Sequence, residues 1–283
     1  MKNIVILYHA QCSDGFGAAY AAWRKFGDTA DYLPVEHQKP PPEGLEGKEV
    51  YIADFSYPKE TLAGLQKIAK RVVILDHHLG AKSDVESVQE FVFDEKRSGA
   101  GIAWDYFHPE KKRPQLLNYV QDGDLYTFTL PDARSILAYV YLEPYTFESW
   151  NNLEQLLENE NTRNEIKNKG ASYKSHWNLL VEKIMQSAEL VEFEGYQCYL
   201  VSTHDMFKSD VGNKLAQKKG PLALVTRAKG DFISVSLRGD GTVDLSDIAK
   251  KYGGNGHPNA AAFRIPYGTP TPWKLLNKGK DVL

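Results

Sequence analysis

The chain has 283 residues, of which 42% are hydrophobic and 25% charged, values typical of soluble globular proteins. This length exceeds an average single domain, so two domains are expected. Lysine and arginine total 34 against 37 acidic residues, which gives a net charge of −3 at pH 7. Such a balance excludes a strong overall positive field, so we expect no binding to long nucleic acid.

The sequence has no run long and apolar enough for a membrane span, and the apolar run at 4–7 is too short for a signal peptide. Its two cysteines, Cys12 and Cys198, do not suggest a disulfide framework. We therefore expect a cytoplasmic protein that binds no membrane and keeps its thiols reduced.

The first hundred residues alternate short β-branched runs with helical patterns, which predicts an α/β domain with a parallel sheet and helices on both faces. Strands are predicted at 4–8, 50–53 and 72–75, and helices at 15–26 and 58–70. Ser56 is the predicted cap of the second helix, with Pro58 in its first turn.

A polar residue follows each predicted strand: His9, Asp54 and Asp76. In open α/β sheets the carboxyl ends of parallel strands form the ligand crevice. These three side chains are therefore expected on one rim.

The later part of the chain predicts a mostly helical region from 99 to about 158, then a connecting helix at 172–190. Beyond it, a smaller α/β domain is predicted with strands at 197–202, 222–226 and 232–237 and helices at 210–217 and 245–252. The predicted organisation is an N-terminal domain over 1–170, a helical linker over 171–192 and a C-terminal domain over 193–283.

The tripeptide Asp76-His77-His78 closes a predicted buried strand. By itself it is weak evidence, because a single histidine is more often structural than functional. Other carboxylate and imidazole groups accompany it: His9, Asp14, Asp54, and Asp122 or Asp124. Such groups would repel one another in a cleft unless cations neutralised them, so we predict a metal site.

The donor set favours Mn²⁺ or Mg²⁺, with Fe²⁺ and catalytic Zn²⁺ as alternatives. Two ions about 3.5–4 Å apart would supply hydroxide and stabilise the entering and leaving oxygens of a phosphoryl group. Asp54 is the candidate bridging ligand.

Five segments, in order, resemble the motifs of the DHH phosphoesterases: HAQCSDGFGAA (9–19), IADFS (52–56), DHH (76–78), QDGDL (121–125) and GGNGHPNAA (253–261). That family includes single-strand exonucleases, nano-RNases, cyclic-dinucleotide hydrolases, and polyphosphate or pyrophosphate hydrolases. The resemblance covers nearly the whole chain. It implies a metal-binding DHH domain followed by a DHH-associated domain that closes over the substrate phosphate.

The resemblance also implies roles for individual residues. The implied metal ligands are His9, Asp14, Asp54, His77 and Asp122, with Asp122 preferred to Asp124. The implied catalytic group is Asp76, His77, His78 and His257, in which Asp76 and His78 orient the site. The implied substrate-binding group is Arg238, Gly254, Gly256 and His257.

Cys12 departs from the family pattern, since many members carry an aspartate two positions before the residue that corresponds to Asp14. Either Cys12 is a softer ligand, or one metal site is poor in carboxylates and binds weakly. The identity of the metal is therefore open at this point.

Two segments suggest anion binding without reference to the family. The glycines at 253, 254 and 256 allow close backbone approach, and their N–H groups could cradle an anion beside His257. The alternative is an ordinary helix C-cap followed by a turn. Ser98 precedes a predicted helix and is a candidate substrate contact, although helix capping also explains it.

These patterns predict a metal-dependent phosphodiesterase that hydrolyses short oligonucleotides, dinucleotides or cyclic dinucleotides. A run of aromatic residues could stack on bases or form core: Tyr139, Tyr141, Tyr145, Phe147 and Trp150. The alternatives are a pyrophosphate or polyphosphate hydrolase, which needs no base stacking, and a nucleotide sensor that has lost activity through Cys12. Formation of a homodimer stays open.

Overall fold

The computed structural model describes residues 2–36 and 39–276. The chain divides into two compact units, Met1–Lys174 and Ser175–Leu283. The division falls within helix α8 (Glu160–Met185), in the segment that the sequence predicts to be a linker.

The first unit is built on a five-stranded sheet of β1 (Ile4–His9), β2 (Ala30–Val35), β3 (Glu49–Ala53), β4 (Arg71–Asp76) and β5 (Glu90–Phe93). All neighbours are parallel, in the order β2-β1-β3-β4-β5. The strand order reverses between β1 and β3, which is where open α/β sheets have their ligand crevice.

Helices cover both faces of this sheet, as predicted. Side chains at alternate positions of the central strands enter two separate cores. Leu7 and Ile52 pack with α2 (Lys59–Ile68) and α3 (Lys82–Val85) on one face. Ile6 and Leu75 pack on the other with α1 (Ser13–Phe26), α4 (Gly99–Phe107), α5 (Gln115–Asp124), α6 (Ala133–Val140) and α7 (Phe147–Glu158).

The second unit contains a seven-stranded sheet in the order β10-β11-β9-β8-β7-β6-β12. These strands are β6 (Glu189–Phe193), β7 (Tyr196–Ser202), β8 (Leu222–Lys229), β9 (Phe232–Gly239), β10 (Asn255–His257), β11 (Ala260–Pro266) and β12 (Trp273–Leu275). Only the β7–β8 pair is parallel among the pairings of the described strands. Helices α9 (Lys208–Lys218) and α10 (Leu245–Lys251) contribute to the two cores of this unit.

Two local predictions differ from the structure. Helix α2 begins at Lys59 with Pro58 as its N-cap residue, and the hydroxyl of Ser56 donates to the carbonyl oxygen of Tyr57 instead of capping the helix. The helix predicted to reach 190 ends at Met185, because the residues from Glu189 onward pair with β7.

Among residues 2–36 and 39–276, the structure contains no helix that combines the length and apolarity needed to cross a bilayer.

Candidate metal centre

The carboxyl edge of the first sheet brings together the polar residues that follow its strands. His9 is the last residue of β1, Asp54 directly follows β3, and Asp76 is the last residue of β4. Since β3 lies between β1 and β4, the three positions are neighbours on one edge, as the sequence predicts.

Asp54 is the most unusual carboxylate of this edge. It is 1% exposed, and its backbone has a φ of 65°, a left-handed conformation that non-glycine residues rarely adopt. Neither carboxylate oxygen has a hydrogen-bond partner. His77 Nε2 lies 3.3 Å from Oδ1 and His9 Nδ1 lies 3.4 Å from Oδ2, too far for strong hydrogen bonds. A buried carboxylate in this state is unfavourable unless a cation compensates it.

His77 lies among three carboxylates. Its Nε2 atom is 3.3 Å from Asp54 Oδ1, 3.6 Å from Asp124 Oδ2 and 3.7 Å from Asp14 Oδ2. This nitrogen is buried and has no hydrogen-bond partner. One ring nitrogen carries at most one proton and cannot satisfy three carboxylates, so the arrangement fits shared cation ligands better than hydrogen bonding.

Three groups of side chains place one ligand atom each within 4.8 Å of one another. They are Asp54, Asp76, His77 and His78; His9, Cys12 and Asp54; and Asp14, His77 and Asp124. Asp54 and His77 each belong to two of these groups. The donors are mainly carboxylate oxygens and imidazole nitrogens, which fit divalent cations such as Mn²⁺.

Asp14 is fully buried in the first turn of α1 and also holds the start of α4. Its carboxylate accepts hydrogen bonds from the Gly99 nitrogen at 2.6 Å and the Ala100 nitrogen at 3.0 Å. A Cβ atom on Gly99 would lie 2.5 Å from Cβ of Asp54, so only glycine allows this approach. The sequence did not indicate this role of Gly99, since the close approach is tertiary.

Asp76 orients the two histidines of its tripeptide. Its Oδ1 atom accepts a hydrogen bond from the His77 backbone nitrogen at 2.8 Å and lies 2.8 Å from Nδ1 of His78. Its Oδ2 atom is buried without a partner. The Asp76 carboxylate raises the pKa of His78, which favours a proton on that ring.

The pKa values of the cluster show strong mutual influence. The neighbouring Asp54 carboxylate, followed by the Cys12 side chain, raises the pKa of His9 to about 10. Burial alone would raise the pKa of Asp54, but the imidazoles of His77 and His9 outweigh burial and lower it to about 2. Burial, followed by the negative charge of Asp54, raises the pKa of Asp14 well above its usual value.

Asp122 does not lie in the cluster, although the sequence favoured it over Asp124. Its Oδ1 accepts hydrogen bonds from the hydroxyls of Thr127 at 2.6 Å and Thr129 at 2.9 Å and from the Thr129 nitrogen at 2.8 Å. Its Oδ2 accepts one from the Leu130 nitrogen at 3.0 Å. The structure thus places Asp124 beside His77, while Asp122 organises the turn after α5.

Ser98, a predicted substrate contact, is fully buried and caps α4. Its hydroxyl oxygen accepts a hydrogen bond from the Gly101 nitrogen at 3.2 Å. Burial excludes direct contact with a substrate in this conformation, so the capping interpretation of Ser98 is the one that the structure supports.

The glycine-rich segment of the second unit forms the end of α10. The Gly254 nitrogen donates to the Ala249 oxygen and the Gly253 nitrogen to the Lys250 oxygen, the two bonds of a Schellman cap. The Gly256 nitrogen donates to Oδ1 of Asn255. These N–H groups are engaged within the protein, so the structure does not offer them as the predicted anion cradle.

Gly254 and Gly256 instead permit close strand packing. A Cβ atom would lie 2.1 Å from the Ala262 oxygen at Gly254 and 2.3 Å from Cα of Ala261 at Gly256. This packing positions the exposed His257 on β10.

His257 and Arg238 share one face of the second sheet. Ala260 of β11 pairs with His257 on one side and with Arg238 of β9 on the other. Directly paired residues project to the same face, and strands are about 4.8 Å apart, so the two Cα atoms are separated by roughly 10 Å. The Arg238 guanidinium also donates to the hydroxyl oxygen of Ser209 at 3.1 Å.

The aromatic run divides between core and surface. Trp150 is fully buried, Phe147 packs against the core and Tyr139 stacks on Tyr173. Tyr141 is 49% exposed and Tyr145 37% exposed. Burial and then the negative charge of Asp124 raise the pKa of Tyr141 to about 12.

Comparison with known proteins identifies relatives of the whole chain. No protein-family model matches. An uncharacterized protein of Acanthamoeba polyphaga mimivirus is 30% identical in an alignment 292 positions long that covers 92% of this chain and 66% of that protein. The chain thus spans just under two thirds of the length of this curated relative.

Solved structures show the same fold at low identity. The DHH domain of a member of the S1p family of ribosomal proteins is similar, with a TM-score of 0.57, 14% identity and coverage of 92% of this chain and 82% of that one. An exopolyphosphatase-related protein of Bacteroides fragilis has a TM-score of 0.53 and 15% identity, and the match covers 95% of this chain and 88% of that one. A pGpG-specific phosphodiesterase of Vibrio cholerae has a TM-score of 0.52 and 16% identity, and the match covers 94% of each chain. The chain therefore has the DHH fold that its motifs predict.

Proposed function

We propose that this protein is a metal-dependent phosphodiesterase that hydrolyses short oligonucleotides, dinucleotides or cyclic dinucleotides. The observation that carries the proposal is the group of buried carboxylate and imidazole atoms without hydrogen-bond partners at the carboxyl edge of the first sheet. Such atoms are unfavourable in a folded protein unless they bind a ligand, and divalent cations suit them.

The proposed cofactor is a pair of divalent cations, with Mn²⁺ as the first choice and Mg²⁺ as the second. Five residues would hold them: His9, Asp14, Asp54, His77 and Asp124. Asp54 and His77 each belong to two of the candidate groups, so each is a candidate for a shared ligand. When bound, such a pair activates water for attack on phosphorus and stabilises negative charge on the phosphoryl oxygens.

The chain's own residues then orient the substrate and move protons. The Nδ1 atom of His78 contacts Asp76, so its Nε2 atom stays free to donate to a substrate oxygen. The Asp76 carboxylate raises the pKa of His78, which favours the protonated ring. His257 and Arg238 would bind substrate phosphate through the face that they share.

Nucleotide substrates are favoured over inorganic ones by the half-exposed ring of Tyr141, whereas the ring of Tyr145 is already stacked on Phe16. Aromatic faces stack on bases with little sequence preference and contribute about 1–3 kcal/mol per base. Inorganic phosphate chains make no use of such surfaces. The pGpG-specific phosphodiesterase with the same fold acts on a substrate of the proposed size.

A substrate panel tests the proposal: dinucleotides, longer RNA, cyclic dinucleotides and pyrophosphate, each with Mn²⁺. We expect turnover of dinucleotides or cyclic dinucleotides well above that of pyrophosphate. Tyr141→Leu should raise KM for nucleotides by about fivefold or more, because a lost stacking contact is worth at least about 1 kcal/mol. Tyr173→Leu, an exposed tyrosine whose ring stacks on Tyr139, is the matched control.

Two results would contradict the proposal. Turnover of pyrophosphate or polyphosphate that is insensitive to Tyr141→Leu would favour the phosphoanhydride hydrolase, for which the fold of the exopolyphosphatase-related protein is a precedent. Tight nucleotide binding without turnover under any metal would favour a sensor.

A further inference from the structure

Cys12 lies beside the candidate metal centre, yet the proposed ligand set does not include it. It is the N-cap residue of α1, but its side chain makes no capping hydrogen bond, and cysteine is not among the favoured caps. It is a free thiol of intermediate exposure. Its sulfur, a ring nitrogen of His9 and a carboxylate oxygen of Asp54 lie within 4.8 Å of one another.

A second feature of the same group points to a ligand. Both carboxylate oxygens of Asp54 are buried and without hydrogen-bond partners, although the residue is only 1% exposed. The nearest donor to Oδ2 is Nδ1 of His9 at 3.4 Å. Capping and burial therefore do not account for the convergence of these three side chains.

The three donors of this group differ in element from those of the other candidate metal group. Asp14, His77 and Asp124 offer only oxygen and nitrogen atoms, whereas the group with Cys12 adds sulfur. Thiolates select soft or borderline cations such as Zn²⁺, and carboxylates suit Mn²⁺ and Mg²⁺. One thiolate, one imidazole and one carboxylate also give the three protein ligands and one open position of a catalytic zinc site.

We propose that His9, Cys12 and Asp54 bind a thiophilic divalent cation of the zinc class, while Asp14, His77 and Asp124 bind a hard cation such as Mn²⁺. This inference rests on the proposed function in one respect, because it assigns different identities to the two cations proposed there. On binding, the Cys12 thiol releases its proton to solvent and a sulfur–metal bond forms.

Titration of the metal-free full-length protein with Co²⁺ or Cd²⁺ tests the sulfur ligand by absorption. We expect a thiolate-to-metal charge-transfer band that saturates at one equivalent and disappears when Zn²⁺ is added in competition. Cys198 is fully buried in the core of the second unit, so Cys198→Ala should keep the band and serves as the control.

The variant Cys12→Ser replaces sulfur by a hydroxyl of similar size. It should lose the band and weaken Zn²⁺ binding by about a hundredfold or more, since loss of even an outer-shell partner weakens metal binding 10–100-fold. Mn²⁺ binding at the other group should change by less than about threefold, because none of its ligands is altered. Absence of the band in the wild type, or its retention in Cys12→Ser, would overturn the proposal.

A measurement on the unmodified protein removes any dependence on the folding of the variant. Alkylation of Cys12 by iodoacetamide, followed by mass spectrometry, should slow at least tenfold when one equivalent of Zn²⁺ is present, because a metal-bound thiolate is a poor nucleophile. Equal alkylation rates with and without Zn²⁺ would overturn the proposal.

Failure of this inference can be separated from failure of the proposed function. Hydrolysis of dinucleotides with Mn²⁺ but without a charge-transfer band would leave the function standing and reject the zinc-class site. A charge-transfer band and protection of Cys12 from alkylation, in a protein that hydrolyses no substrate, would support the zinc-class site and reject the proposed function.

Discussion

The carboxyl edge of the first sheet and the helical layer beside it both bury polar side chains, but they treat them differently. At the edge, Asp54 and His77 have buried atoms without hydrogen-bond partners. In the helical layer, Asp122 accepts four hydrogen bonds and His108 Nε2 lies 2.9 Å from the Ala21 oxygen. The difference teaches that burial alone does not mark a functional group, whereas burial without partners points to a missing ligand.

The largest effect is expected from a substitution of Asp54, whose buried carboxylate has no hydrogen-bond partner. Asp54→Asn keeps the size of the side chain, and asparagine tolerates the left-handed backbone at this position. We expect loss of metal binding and a fall in turnover of at least about a hundredfold, because a divalent cation supplies several kcal/mol of charge stabilisation. Calorimetric metal titration and steady-state kinetics measure both; unchanged Mn²⁺ affinity would show that Asp54 is not a ligand.

A smaller effect is expected at His257, which is exposed and belongs to neither side of the comparison. His257→Ala should lower kcat/KM by about tenfold to a hundredfold, through loss of a hydrogen bond to a charged phosphate group, and should leave metal binding intact. Lys274→Ala removes an exposed charge on β12, at the opposite edge of the sheet, and is the control. Loss of metals in His257→Ala would contradict the assignment of this residue to the substrate.

Variants of the two aspartates of α5 test directly whether a carboxylate that accepts hydrogen bonds within the protein serves stability, and one beside His77 serves metal binding. Asp122→Ala removes the acceptor of four hydrogen bonds and should lower the free energy of unfolding by about 1–3 kcal/mol. Asp124→Asn should leave stability within about 0.5 kcal/mol and weaken Mn²⁺ binding. Denaturant unfolding and metal titration on both variants give the result, and the opposite pattern would restore Asp122 as the metal ligand.

The smallest effect is expected on the pH dependence of stability, and it comes from the buried His108, whose ring contacts the Ala21 oxygen. Burial lowers the pKa of His108 below its ordinary value of 6.5, so the folded protein keeps this ring neutral. As pH falls below 6.5 the unfolded chain takes up a proton that the folded chain does not, and stability falls until the folded pKa is reached.

The variant His108→Gln should remove this part of the pH dependence between pH 7 and 5. Unfolding by urea across that range measures it, with the exposed His176→Gln as control. An unchanged slope in His108→Gln would mean that the pKa of this ring is the same in the folded and the unfolded protein.

Much of the fold was accessible from the sequence because the central strands are continuous apolar runs. β1, β3 and β4 are buried on both faces, and their hydrophobic residues mark them without knowledge of their neighbours. The edge strands β2 and β5 were not predicted, since the half-buried Asp31 and the exposed Pro34 and Glu90 interrupt their pattern.

The choice between Asp122 and Asp124 was beyond sequence reasoning. Two residues on a helix are separated by about 200°, so their side chains point in nearly opposite directions. Which of the two faces the cluster depends on how α5 packs in the first core, and spacing along the chain carries no information about that rotation.

The sequence by itself determined that His9, Asp54 and Asp76 would meet, because apolar runs fix the strands and parallel strands end at one edge. Only the tertiary structure decided which groups lack partners there, and which act as caps. Hydrogen-bond satisfaction depends on atoms from segments far apart in the chain: Asp14 accepts hydrogen bonds from the start of α4, whereas neither carboxylate oxygen of Asp54 has a hydrogen-bond partner among the described residues.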